Sequence, residues 1–403
     1  MNNASLILED GTVFAGRWFG APPVAVDALG RGEPGAAPSG GDNSGATDGS
    51  ADGQAGKLAA GEVIFNTGMC GYHEILTDPS YYGQIVVMTY PHIGNYGTDE
   101  DWTEYGSAGD EVLGRLRASA LVVRSLYTGP VPPGRKSLPE FLKRYRTTGL
   151  TDIDTRALTL RIRDGGSPRG VIVRAGGGGT LSDGERDACV RFLKSFPEME
   201  GRNLVSELSR GRIVGVNPGG SPHVALVDCG VKAGIVRELT GLGCRVSLVP
   251  NEASADDILA ASPDGVLFSN GPGDPAVLDH LVRQINAMLG KRPVWGICLG
   301  HQLVALAMGA RTYKMKFGHH GVNNPVRDET TGAVLITSQN HGFAVDEESL
   351  PRGTEIWFRN ANDSTNEGIM EPKLRALTVQ FHPEAAPGPR DSLWIFRKFL
   401  DTV

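Results

Sequence analysis

Cys298 lies in the pentapeptide GICLG, with Gly296 two residues before it and Gly300 two after. An apolar run, PVWGI, leads into it, and a run with helical apolar spacing, LGHQLVALAMG, leads out. That places the cysteine on a sharp strand-to-helix turn, a nucleophile elbow with sulfur in place of oxygen. The glycines serve a tight turn and close backbone packing, and the following helix N-terminus favours thiolate over thiol. The Leu299 amide is then free to bind an oxyanion. A buried core cysteine is the ordinary alternative for a single Cys, and glycine on both sides at this spacing argues against it.

A thiolate nucleophile requires a group that takes and returns protons, and FHPEAAPGP at 381–389 offers His382. Pro383 pushes His382 into an extended conformation, in which residues two apart face the same way. The Glu384 carboxylate can therefore reach the His382 ring, fix its tautomer and stabilise the imidazolium. An isolated His-x-Glu is common by chance; here it follows the LRALTVQF run, in the order Cys, His, Glu.

A third stretch, SNGPGDP from Ser269 to Pro275, ends the GVLFSN run, and Gly271 and Gly273 let backbone amides approach a ligand closely. A plain strand-to-helix turn is an equal reading, and no GKS or GKT follows to support a phosphate cradle. His319 and His320 in FGHHG suggest a metal only at first sight. Adjacent residues point oppositely in an extended chain, and no carboxylate or cysteine lies at ligand spacing, so structural hydrogen bonding is expected and no metal site is. His341 is expected to shape the QNHGF segment rather than to act as a base.

The elements that must position these residues form an alternating series from residue 223. HVALVDCG, RVSLVP, GVLFSN and PVWGI read as strands, and KAGIVRELTGLG, SADDILAAS, AVLDHLVRQINAMLG and LGHQLVALAMG as helices. Apolar strands alternating with amphipathic helices predict a largely parallel sheet flanked by helices, with the ligand site at the carboxyl ends of the strands. The first part of the chain is a mixed α/β domain. SLILED and TVFAG make a hairpin around Asp10-Gly11; GEVIFN, QIVVMTYP and ALVVRS read as strands; LPEFLKRY and DIDTRALTLRIRD read as helices. Residues 28–57 are mostly Gly, Ala, Ser and Asp without an aromatic, a composition expected to form a disordered surface loop. The expected division is an N-terminal domain over 1–183, a connector over 184–222 and a second domain over 223–403.

At 403 residues the chain suffices for about two or three domains with their own cores. The net charge of -7, with signs interspersed, gives no basic stripe for nucleic acid. Five scattered cysteines without a CxxC pair argue against a disulfide framework and a zinc site, and fit a reducing cytoplasm. No run approaches the roughly 20 apolar residues of a membrane span, and the N-terminus does not read as a signal peptide.

Together SNGPGDP, GICLGHQ and FHPEAAPGP resemble the class I, triad-type glutamine amidotransferases across the second half of the chain. KMKFGHHG (314–321), SQNHGFAV (338–345) and EILTDPSYYGQIVVMTYPHIGNYG (74–97) narrow the resemblance to the small, glutaminase subunit of carbamoyl-phosphate synthetase. The resemblance implies Cys298 as nucleophile, with His382 and Glu384 completing the triad, and the amides of Gly271 and Leu299 as oxyanion donors. It implies glutamine contacts from Ser80, contributed across a domain interface, and from Gly271, Gly273, Leu299, Gln302, Asn340, Gly342 and Phe343. It further implies a heterodimer, or an oligomer of heterodimers, with a large subunit. That subunit uses ATP and Mg2+ and receives ammonia to make carbamoyl phosphate for arginine and pyrimidine synthesis; this chain itself needs no cofactor. The chain departs from the family pattern in its longer insertion, in Gly68 and Cys70, and in Asn324 where histidine is frequent. An amidotransferase serving another synthetase, a stand-alone cysteine hydrolase and a non-enzymatic subunit are the competing readings; the 74–97 match opposes the first, and the presence of Cys298 and His382 the last.

Overall fold

The computed structural model describes residues 2–29, 56–105, 116–177, 179–208 and 210–403. Most of the segment expected to be a disordered loop, residues 30–55, lies outside the described residues. The chain packs as two compact units. One comprises Met1–Leu76, Gly83–Glu100 and Leu116–Met199; the other comprises Thr77–Tyr82, Asp101–Arg115 and Glu200–Val403.

In the first unit the expected hairpin is present, Asn3–Leu8 pairing with Val13–Gly20 around a positive-φ Gly11. Seven strands close into a barrel in the order Asn3–Leu8, Val13–Gly20, Thr148–Thr151, Ala120–Val122, Gln84–Met88, Ala60–Asn66, Arg169–Val173 and back to the first. Closure leaves no free sheet edge, which a string of short strands read singly does not announce. Helix Asp183–Ser195 docks Cys189 and Leu193 on Ile7, Val171 and Val173. Its start is fixed by a capping box between Ser182 and Glu185, an arrangement that stabilises such a helix by about 1 kcal/mol.

The second unit holds a ten-stranded sheet. Its centre is parallel, in the order Arg245–Pro250, His223–Asp228, Gly265–Phe268, Val294–Ile297, Ala376–Val379. The two-residue period sends alternate side chains to opposite faces, and both faces are dry. Val224, Leu226, Leu267, Trp295 and Ile297 meet Ile235 and Leu239 of helix Ala233–Gly241 and Ile395, Phe396 and Phe399 of helix Trp394–Leu400. Ala225, Val227, Val266, Phe268 and Val294 meet Ile258, Leu281, Ile285, Leu303 and Val304 from three other helices.

Beyond Ala376–Val379 the sheet turns antiparallel, through Asn366–Glu371, Glu355–Asn360, Arg311–Asp328 and Val334–Asp346. The last two form a long hairpin with register shifts between Lys314 and His319 and between Gly321 and Asn324. The run of parallel strand-helix units thus accounts for half of the sheet, and this hairpin carries FGHHG and QNHGF side by side.

Candidate active site

Cys298 sits between strand Val294–Ile297 and helix Leu299–Ala307 at φ 55 and ψ -104. A β-carbon in that region of backbone space is strained by roughly 1–3 kcal/mol, so the surroundings must hold the turn. Cys298 N–H donates to Val379 O at 2.9 Å, and Gly300 N–H donates to Ser269 O at 3.1 Å. The glycines are sterically required: a β-carbon on Gly300 would lie 2.1 Å from Phe268 O, and one on Gly296 would lie 2.5 Å from the Gly300 carbonyl. A β-carbon on Gly271 would lie 2.1 Å from Cys229 O and 2.8 Å from Leu299 Cδ2, which sets Gly271 beside the elbow. Leu299 N–H belongs to a first helical turn, where no intrahelical acceptor exists.

His382 follows strand Ala376–Val379 and is clamped by donating its N–H to Ser338 O at 2.9 Å. Its Nδ1–H donates to Glu384 Oε1 at 2.7 Å, as the two-residue spacing predicts. Nε2 is buried and, among the described residues, has no partner except the Cys298 thiol that faces it. Burial opposes charge on the ring, yet Glu384, with a smaller push from Cys298, raises the His382 pKa well above the usual imidazole value against repulsion from Lys232. Glu384 is pulled the other way: burial raises it, and Lys232 and His382 more than offset that, holding it well below the ordinary carboxylate range.

Lys232, absent from the sequence reading, is the largest addition. It is 1% exposed, its Nζ lies 3.1 Å from Glu384 Oε1, and it donates to Ala385 O at 2.6 Å. Burying an ammonium beside the Glu384 carboxylate holds that carboxylate as an anion. The one sequence signal was position, since VDCGVK ends a parallel strand at the sheet edge where ligand sites form.

The residues expected to contact glutamine converge. Thr77–Tyr82 packs within the second unit although it lies in the first half of the sequence. Ser80 Oγ accepts from Asn270 Nδ2 at 2.9 Å, and Asp78 Oδ2 accepts from Asn340 Nδ2 at 3.3 Å. Asn340 O accepts from Cys298 Sγ at 3.6 Å, and Gln302 Nε2 donates to Phe343 O at 2.8 Å, so strand Val334–Asp346 runs along the elbow. A β-carbon on Gly342 would meet Lys314 Nζ at 3.4 Å. Gly273, with φ +92, faces Arg202 O and Leu204 instead.

The paired histidines take separate partners. His320 Nδ1 bonds Asn340 Oδ1 at 2.9 Å. His319 Nε2 lies 2.9 Å from Asp363 Oδ2 and its Nδ1 3.2 Å from Glu367 Oε1. Burial opposes the charge on His319, and the two carboxylates overcome it, raising the ring to about 9. Carboxylates therefore do reach this histidine, from a strand and a turn far along the chain that ligand spacing could not reveal. His319, His341 and Glu367 make a buried group whose candidate ligand atoms lie within 4.8 Å of one another. With a carboxylate at each nitrogen the His319 ring is a charged double donor with no lone pair to give a metal. His341 Nδ1 bonds Phe343 O at 2.8 Å within its own strand, and burial pushes its pKa down to about 3, so it is neutral.

Among the described residues no helix is long and apolar enough to cross a membrane. Residues 225–402 match the family described as glutamine amidotransferase class-I, and residues 42–172 match the carbamoyl-phosphate synthase small chain, CPSase domain. The chain is 45% identical to the carbamoyl phosphate synthase small chain of Chlorobaculum tepidum, over 88% of this chain and 94% of that one. It is 42% identical to the small chain of Methanocaldococcus jannaschii, over 98% of each. Against the small chain of Escherichia coli K12 it is 39% identical, over 100% of this chain and 98% of that one. The chain therefore belongs to the carbamoyl-phosphate synthase small-chain family, and its residues 225–402 to the class I glutamine amidotransferases.

Proposed function

We propose that this chain hydrolyses glutamine to glutamate and ammonia and delivers the ammonia to a large, ATP-using chain that makes carbamoyl phosphate for arginine and pyrimidine synthesis. The observation that carries the reading is the strained Cys298, whose thiol faces the open Nε2 of a His382 held by Glu384. Family membership supports the partner. ATP and Mg2+ belong to the large chain, and the assembly is a cytoplasmic heterodimer or an oligomer of heterodimers.

The Cys298 thiolate attacks the side-chain amide carbon of glutamine, forming a C–S bond and placing negative charge on the carbonyl oxygen. The amides of Gly271 and Leu299 receive that charge. His382 donates its proton to the amide nitrogen, the C–N bond breaks and ammonia leaves a γ-glutamyl thioester. Water, deprotonated by the same ring, then hydrolyses the thioester to glutamate and returns the thiol. Ser80, Gly273, Gln302, Asn340, Gly342 and Phe343 shape the site that holds the amino acid.

The test is glutamate release by the purified chain, alone and with the large chain, ATP and bicarbonate, with Cys298→Ala as control. Slow release that rises with the large chain and vanishes in the variant is expected. Rapid release indifferent to the large chain would sink the coupled reading in favour of a stand-alone hydrolase.

A further inference from the structure

Lys232 is a buried cation in contact with a triad member, and Glu384 is one of three carboxylates acting on it; Asp78 and Glu104 are the others. Glu104 is fully buried in the same packed unit and bonds through four separate groups. Its Oε2 accepts from Gly234 N–H at 2.9 Å, in the first turn of helix Ala233–Gly241, and its other oxygen pairs with Arg237. Its carbonyl accepts from Ala233 N–H at 3.0 Å, and its own N–H donates to Thr77 Oγ1 at 3.0 Å, next to the turn that carries Ser80. A β-carbon on Gly234 would meet Glu384 Cγ at 3.0 Å and Glu104 Oε2 at 3.1 Å, so both carboxylates flank one glycine.

We propose that Glu104 is a positioning residue for glutamine hydrolysis: a further counter-charge to Lys232, beside Asp78, that limits the ammonium's hold on Glu384 and ties the Thr77–Ser80 turn to the triad. This rests on the function proposed above. With Glu384 as sole partner, Lys232 would screen that carboxylate from His382 and repel the imidazolium. Glu104, on the far side of Gly234, attracts the same ammonium and restores negative potential at the ring. The groups that face Glu104 are Lys232, Gly234 N–H and Arg237 from the helix and its approach, Thr77 from the turn, and Glu384 across Gly234. Burial, the largest influence, raises the Glu104 pKa above its ordinary value against Lys232 and Arg237, while the pair with Arg237 and the Gly234 N–H form the arrangement that receives an ionised carboxylate.

The experiment follows kcat/KM for glutamate release against pH in the full chain, because its alkaline limb reports loss of the His382 proton from the free enzyme. Glu104→Gln removes a negative charge and is expected to move the limb to lower pH by about half a unit or more. Arg237→Gln removes a positive charge from the same carboxylate and is expected to move it to higher pH. Glu104→Asp, which keeps the charge, should leave the limb near its original place. Limbs that stay fixed, or move in the same direction in both Gln variants, would overturn the proposal. Should Glu104→Gln not fold, the half-exposed Arg237→Gln decides alone by whether the limb rises. A wild-type chain that releases no glutamate would instead overturn the proposed function.

Discussion

The second unit buries two histidines against carboxylates, His382 with Glu384 at 2.7 Å and His319 with Glu367 at 3.2 Å, and they are built for different work. Carboxylates favour positive charge on both rings against burial, Glu384 on His382, and Asp363 and Glu367 together on His319. They part at the second nitrogen. That of His319 meets Asp363 at 2.9 Å, whereas that of His382 meets only a thiol on a strained turn. The carboxylates differ too. Glu367 takes N–H groups from the neutral amides of Gln339 and Asn360, while Glu384 is shared with the ammonium of Lys232. A buried histidine-carboxylate pair is thus ordinary architecture; a nitrogen left open beside a thiol on a strained turn is what the proposed proton carrier needs.

Removing either half of the reacting pair should have the largest effect. Cys298→Ala and His382→Ala are each expected to lower glutamine turnover by at least about 10^4-fold, with thermal midpoints close to that of the parent. Relieving the elbow could even raise the midpoint for Cys298→Gly, whose backbone adopts positive φ freely. A comparable loss of turnover in His319→Gln, measured in the same assay, would erase the distinction between the two histidines.

The shared carboxylate comes next. Glu384→Gln keeps the shape but leaves His382 without its anion and Lys232 with only Asp78 and Glu104, so turnover is expected to fall about 10^2-fold and stability by about 2 kcal/mol. Urea unfolding beside the kinetic assay separates the two losses. In the other cluster Glu367→Gln should reverse that balance. It loosens the strand that presents Asn340 and Phe343, and is expected to raise KM for glutamine about 10-fold with kcat nearly unchanged, the pattern of lost uniform binding. Equal falls in kcat from both substitutions would argue that the clusters act as one.

What could be read in the sequence divides along the same line. GICLG and FHPEA were legible because each packs its geometry into a few adjacent residues: glycines set the turn, and Pro383 sets the His382 to Glu384 spacing. The parallel half of the sheet was legible by alternation of strand and helix. Lys232, Glu104, Asp363 and Glu367 were not, because each is a lone charged residue whose meaning comes from a partner far along the chain. The barrel and the antiparallel hairpin Arg311–Asp328 with Val334–Asp346 depend likewise on long-range pairing and on bulges, and strand-like runs alone do not announce them. Ser80 shows both sides: resemblance pointed to the residue, while its place in the second unit came from packing.

The smallest expected effect is a change of stability with pH whose two slopes come from different histidines. His319 is raised to about 9, so its ion pairs stabilise the fold fully below the unfolded value near 6.5 and are lost as pH climbs through 9. His301, His320 and His341 are pushed by burial down to about 3, 4 and 3, so their contribution is present above 6.5 and lost as pH falls toward those values. Thermal midpoints measured from pH 5 to 10 should therefore peak near neutrality. In His319→Gln the alkaline slope should flatten, by an amount on the order of 1–3 kcal/mol across the window, while the acid slope stays. His382, also raised, keeps the remainder of that slope; if the alkaline slope survived the substitution undiminished, the charged reading of His319 would be wrong. The ring would then be neutral, with a lone pair on one nitrogen, and it would differ from the charged His382 more than its two carboxylates imply.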